Sequence, residues 1–135
     1  IGKMLLSPTR SYAPLLKLIF DKIGRNEIHG IIHCTGGGQT KILHFIDNLH
    51  IIKNNLFEIP PIFRLIMEES NTDPKEMYKV FNMGHRMEIY LEPKNASKVI
   101  DLSKSVGIDA KIIGEVNESE VKKLSIHSEL GNFDY

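Results

Sequence analysis

A chain of 135 residues, 41% hydrophobic and 25% charged, can bury roughly two thirds of the surface its unfolded form exposes, so it needs no covalent staples and is too apolar to stay disordered. Lys+Arg and Asp+Glu balance at 17 each, which leaves no basic field to gather nucleic acid or anionic lipid. The apolar runs are only a few residues long, no charged-then-apolar leader opens the chain, and Cys34 is the one cysteine; a soluble, cytoplasmic protein without nucleic-acid or membrane partners is expected.

Ser7 and Pro8 form a helix-start pair, and Leu15, Leu16, Ile19 and Ile23 fall near helical spacing ahead of Gly24. Pro14 prefers a first turn, which moves the expected start to about Ala13 and leaves Pro8, Thr9 and Arg10 as a loop. Residues 27–34 (EIHGIIHC) are β-branched, end at glycines, and predict a strand buried on both faces. Residues 40–48 predict a two-turn helix, 49–52 a short strand, and 62–67 a helix behind Pro60 and Pro61. Asp73-Pro74-Lys75-Glu76 is a strong start signal, with Asp73 as N-cap, Pro74 in the first position and Glu76 reaching back, for a helix ending near Val80. Residues 87–91 (MEIYL) alternate apolar and polar and predict a half-buried strand. Asn95 is expected to cap a helix carrying Val99, Ile100, Leu102 and Val106, closed by a left-handed Gly107. A strand over 110–116 follows, then a polar, irregular tail over 117–135 with a last strand near 124–126. Helices and strands interleave, which places the chain in the α/β (α+β) class, a small mixed sheet covered by helices.

The candidate site centres on Thr35-Gly36-Gly37-Gly38, between a predicted strand and a predicted helix. Glycine backbone exposes N–H groups and tolerates positive φ, and a following helix adds positive dipole, so the stretch suits a phosphate. It suits a tight corner equally, since neither the Walker pattern nor G-x-G-x-x-G is met. A second loop, Phe81-Asn82-Met83-Gly84-His85-Arg86, offers Asn82 and the Gly84 backbone to a polar ligand, or is an Asx turn feeding a strand. Thr9 and Arg10 suit a phosphate, or are a Ser/Thr-Pro helix start next to a surface arginine that needs no ligand. His29 and His33 share a strand face but lie ~13 Å apart by strand rise, too far to share a metal. Cys34 reads as a small buried hydrophobe.

Taken together and in order, "LLSPTRSYAP" from Leu5, "IHCTGGG" from Ile32, "EMYKVFNMGHRM" from Glu76 and "IIGEV" from Ile112 resemble the C-terminal part of the aminoimidazole ribonucleotide synthetase family, also called phosphoribosylformylglycinamidine cyclo-ligase. The resemblance implies an ATP-dependent ligase of purine biosynthesis that closes the imidazole ring of formylglycinamidine ribonucleotide, releasing ADP and phosphate. It also implies that residues 1–135 are a C-terminal α/β domain, that an N-terminal ATP-binding and dimerisation domain lies outside them, and that Ile1 is a fragment boundary. The whole enzyme would be a homodimer, and the fragment alone inactive. Carried onto this chain, it places Thr35, Gly36, Gly37 and Gly38 on the cleft that holds substrate or nucleotide phosphate, with Asn82 and Gly84 on a neighbouring loop and Thr9 and Arg10 close by. ATP implies Mg2+, whose ligands are expected outside these residues. Gln39-Thr40-Lys41 and His85-Arg86 depart from the commoner family pattern. Two alternatives remain: a related ATP-dependent enzyme of the superfamily, of the formylglycinamidine ribonucleotide synthase, selenophosphate or thiamin-phosphate kinase type, or a non-catalytic metabolite-binding α/β module.

Overall fold

The computed structural model of the chain describes residues 2–6, 8 and 10–135. Its elements are α1 (Gly2–Leu5), α2 (Ala13–Lys22), β1 (Ile28–His33), a 3-10 helix (Gly38–His44), β2 (Leu49–Lys53), α3 (Pro61–Ser70), α4 (Pro74–Val80), β3 (Met87–Leu91), α5 (Pro93–Ser105), β4 (Gly114–Glu118), β5 (Lys123–Ser128) and β6 (Gly131–Asp134). They form two compact units, one of residues 1–31 and 89–112, the other of 32–88 and 113–135. No helix among the described residues is long and apolar enough to cross a membrane.

The first unit is built on α2 and α5. Leu15 and Ile19, one helical turn apart on α2, pack with Val99 of α5, and Tyr12, Ile23, Ile28, Ile89, Leu91, Leu102, Val106 and Ile108 close around them. As the position of Pro14 requires, α2 starts at Ala13; Ser7 and Thr9 lie outside the described residues. Helix α5 starts three residues earlier than its sequence signal. Glu92 is its N-cap, and Asn95 instead donates its side-chain amide to Glu27 at 2.9 Å. At the other end Gly107 is left-handed (φ 69), its N–H meeting Lys104 O at 3.0 Å while Ile108 N–H meets Ser103 O at 2.9 Å, a Schellman closure that satisfies two end carbonyls.

The second unit carries a four-stranded sheet in the order β4-β2-β5-β6. Strand β2 pairs antiparallel with β4 and parallel with β5, and β5 pairs antiparallel with β6, so the sheet is mixed. Gly114 is required in β4, where a Cβ would sit 1.9 Å from Ile52 O. Ile51, Leu124, Ile126, Met77, Tyr78 and Met83 are buried in this unit. Helix α4 starts as its sequence dictates: Asp73 Oδ1 accepts from Lys75 N–H at 2.8 Å with Pro74 next to it. Glu76, expected to reach back to the cap, lies by Lys79 Nζ at 3.3 Å.

Other expectations change as well, and the strand expected over 110–116 begins only at Gly114. Among the described residues strand β1 pairs only with β3, and Ile32 is its single buried residue; a two-stranded pair cannot cover both faces of a strand. Residues 40–48 do not form two α-turns, because the chain leaves the glycines as a 3-10 helix that ends at His44. The polar stretch after Asn117, expected irregular apart from 124–126, supplies the end of β4, all of β5 and all of β6. Its short apolar run Leu124-Ser125-Ile126 is buried between two neighbouring strands.

Candidate functional site

The glycine loop and the Phe81–Arg86 loop meet in the second unit. Gly38 is left-handed (φ 47), and a Cβ on it would lie 2.4 Å from Phe81 O and 2.8 Å from Tyr78 O, so the backbone presses against the end of α4 where no side chain fits. Gly37 is also left-handed (φ 87) but faces only Lys41, while a Cβ on Gly36 would meet nothing within 4 Å. The corner is closed by Gly38 N–H to Thr35 O and Thr40 N–H to Gly37 O, both 3.0 Å, and by Thr40 Oγ1 to Gly37 O at 3.0 Å. The N–H groups of Gly36 and Gly37 donate to no group among the described residues.

Lys41, one turn along the 3-10 helix, folds back over this corner. Its Nζ donates to Thr35 Oγ1 at 2.8 Å and to His33 O at 3.1 Å, which leaves one ammonium N–H of three for another acceptor. Thr35, Gly36 and Gly37 are exposed and Lys41 half-buried. The Thr35 hydroxyl donates to His33 O at 3.5 Å, which leaves two backbone amides and a cation near one another on open surface, donors of the kind that bind an anionic oxygen.

The second loop is an Asx turn: Asn82 Oδ1 accepts from Gly84 N–H at 3.0 Å, so the side-chain oxygen is engaged by its own backbone while the amide Nδ2 keeps its two donors. Met83 is left-handed (φ 50) yet buried, and Gly84 (φ 99) backs onto Pro60, where a Cβ would sit 2.9 Å from its Cδ. Asn82 O accepts His85 N–H at 2.9 Å and Gln39 Nε2 at 2.5 Å. His85 is buried, and its Nε2 accepts Phe57 N–H at 3.1 Å.

Beneath both loops lies a network that the sequence reading missed. Lys53, at the end of β2, and Glu88, in β3, form an ion pair at 2.6 Å with side chains 1% and 3% exposed. The Lys53 ammonium also donates to Gln39 O and Gln39 Oε1, both at 2.9 Å. Glu88 was expected on the solvent face of an alternating strand; it is instead the buried residue of β3, because it must meet Lys53. The one available signal was a lysine ending the apolar strand Leu49-His50-Ile51-Ile52. Cys34 sits beside this pair. Burial first, and then the Glu88 carboxylate, push its thiol up to about 12, the state of an inert core cysteine.

Arg10 belongs to the first unit, where its Nη1 donates to Gly107 O at 2.6 Å and so caps the end of α5. Thr9 lies outside the described residues. Among the described residues no three His, Cys, Asp or Glu side chains come together as metal ligands; the donors present do not fit a divalent cation.

An α/β domain whose mixed sheet carries a glycine-edged corner is the class that this geometry defines. The chain belongs to the AIR synthase related protein family, matching its C-terminal domain over residues 1–127. It is 37% identical over 119 residues to the phosphoribosylformylglycinamidine cyclo-ligase of Methanococcus vannielii, covering 88% of this chain and 33% of that protein. It is 36% identical over 120 residues to the protein of that name from Methanocaldococcus jannaschii, with 88% and 34% covered. The chain therefore spans about a third of the length of these relatives. Among solved structures, E. coli HypE, a hydrogenase maturation protein, shares the fold with a TM-score of 0.64 at 22% identity, over 93% of this chain and 39% of that one.

Two outcomes follow from the loop's construction. Gly38→Ala, which drives a Cβ into Phe81 O, is expected to cost about 2–4 kcal/mol in denaturant unfolding, against less than about 0.5 kcal/mol for Gly36→Ala. Because Cys34 holds its proton to about 12 when folded, against an ordinary value of 9.0, its contribution to stability is complete below pH 9 and is lost as pH rises through that window. Unfolding midpoints measured at about pH 8 and about pH 11 should therefore diverge less for Cys34→Ala than for the unmodified chain.

Proposed function

We propose that the chain is the C-terminal domain of an ATP-dependent cyclo-ligase of purine biosynthesis, which converts formylglycinamidine ribonucleotide and ATP to aminoimidazole ribonucleotide, ADP and phosphate. The observation that carries this reading is the anion corner of Thr35, Gly36, Gly37 and Lys41 in a chain 37% identical to a named cyclo-ligase. ATP supplies the phosphoryl group that activates the formyl amide oxygen. This chain's part is to hold a phosphate: the Gly36 and Gly37 amides and the free Lys41 N–H point fixed dipoles and charge at its oxygens before it arrives, so that no reorganisation is needed.

Gly38 and Gly84 serve that corner by shape, letting the two loops approach the backbone beneath them. Asn82 serves it through its carbonyl, which anchors Gln39. In this reading the N-terminal domain, the Mg2+ ligands and the dimer contacts belong to the two thirds of the relatives that these residues do not span. The composition that disfavours nucleic-acid and membrane partners and the reducing-type single cysteine support a cytoplasmic enzyme.

A chimera in which this chain replaces the C-terminal third of an archaeal cyclo-ligase tests the proposal. The chimera should retain ATP-dependent ring closure, while the isolated chain gives no turnover. Within it Lys41→Ala should weaken one phosphate-bearing ligand roughly ten- to hundredfold, the worth of one charge-assisted hydrogen bond. A folded chimera that binds both ligands but closes no ring would contradict the assignment.

A further inference from the structure

The most heavily buried polar assembly of the second unit joins β2 and β3 to the chain that leaves the glycine loop. Lys53 Nζ has three acceptors: Glu88 Oε1 at 2.6 Å, Gln39 O at 2.9 Å and Gln39 Oε1 at 2.9 Å. Gln39, the residue directly after the last glycine, is 1% exposed and passes the connection on through its Nε2 to Asn82 O. Asn82 O in turn receives His85 N–H. One ammonium therefore fixes the downstream end of the glycine loop and, through a single glutamine, the backbone of the second loop. Lys41 fixes the upstream end by its bond to His33 O.

We propose that Lys53, with Glu88 as its counter-charge, is the positioning residue of the glycine loop, setting where the Gly36 and Gly37 amides point although neither side chain can reach a ligand. The chemistry favours a lysine here. A buried ammonium must satisfy three donors and a full charge, and these four acceptor and charge demands are met only if Gln39 and Glu88 hold one arrangement. An apolar side chain at the same place would fill the space without selecting any loop conformation. The inference rests on the anion-corner reading for its ligand consequence, and not for the loop geometry itself.

Lys53→Met/Glu88→Leu is the direct test, because replacing both members of a buried pair by apolar side chains commonly leaves stability unchanged or raised. The double variant should keep the unfolding midpoint of the unmodified chain. Its Thr35, Gly38, Thr40, Gly84 and His85 amides should exchange with solvent at least about tenfold faster, a local opening and not a global one. Its affinity for whichever of magnesium-ATP and formylglycinamidine ribonucleotide shifts the Gly36 and Gly37 amides of the unmodified chain should fall about tenfold. Gln39→Leu keeps the ion pair but cuts the tether to Asn82, and should loosen Gly84 and His85 alone should the double variant not fold. Unchanged loop exchange in the variants that fold would overturn the proposal. If the unmodified chain binds neither magnesium-ATP nor formylglycinamidine ribonucleotide, the anion-corner reading fails separately, and the exchange rates still decide the role of Lys53.

Discussion

A lysine and a glutamate facing each other with 1% and 3% exposure constrain the second unit more than any apolar contact does. Removing two charges from water costs several kcal/mol per ion, returned only when the remaining donors find partners in good geometry. Lys53 finds them in Gln39, which supplies both a main-chain and a side-chain oxygen. The pair thus joins the end of β2, the start of the 3-10 helix and β3, three segments brought together by tertiary structure alone. Their relative placement admits little drift, since any shift leaves a buried charge unmatched. The hydrophobic core around Leu124 and Ile126 makes the unit stable; the ion pair makes one arrangement of its loops the stable one.

That constraint separates the three glycines into two kinds. Gly38 is a steric necessity, because Phe81 O lies where its Cβ would be, and Gly84 is another against Pro60. Gly36 and Gly37 are not needed to avoid any close backbone contact, yet they leave two N–H groups unspent beside Thr35 and Lys41. The stretch is a tight corner at one end and leaves two backbone amides open at the other. The rigid end holds the receptive end in place, as a site that stabilises charge without reorganising requires. The departure Gln39-Thr40-Lys41 from the commoner pattern acquires a physical meaning here: Gln39 is the tether, Thr40 closes the turn, and Lys41 supplies the charge.

Local signals were legible wherever local chemistry decides. Asp73 and Pro74 start α4 because capping and fixed φ act within one turn, and Gly107 closes α5 for the same reason. The α/β class and the motif order that marks the family were likewise readable. What escaped were features set by distant partners. Glu88 reads as solvent-facing in an alternating strand until Lys53, 35 residues away, turns it inward. Asn95 reads as a cap until Glu27 claims its amide. The strands after Asn117 lack alternation because β5 lies between two others and β4 is an exposed edge. Arg10, grouped with the site by resemblance, is engaged with Gly107 O, a long-range cap that no local pattern encodes.

Whether the Gly36 and Gly37 amides receive a phosphate decides what the glycine corner is for. An amide NMR titration of the chain with formylglycinamidine ribonucleotide, and separately with magnesium-ATP, reads that directly. Saturable shifts centred on Gly36 and Gly37, with Gly84 nearly still, are the predicted result for one of the two ligands. A folded spectrum in which those amides stay fixed while shifts gather elsewhere would contradict it.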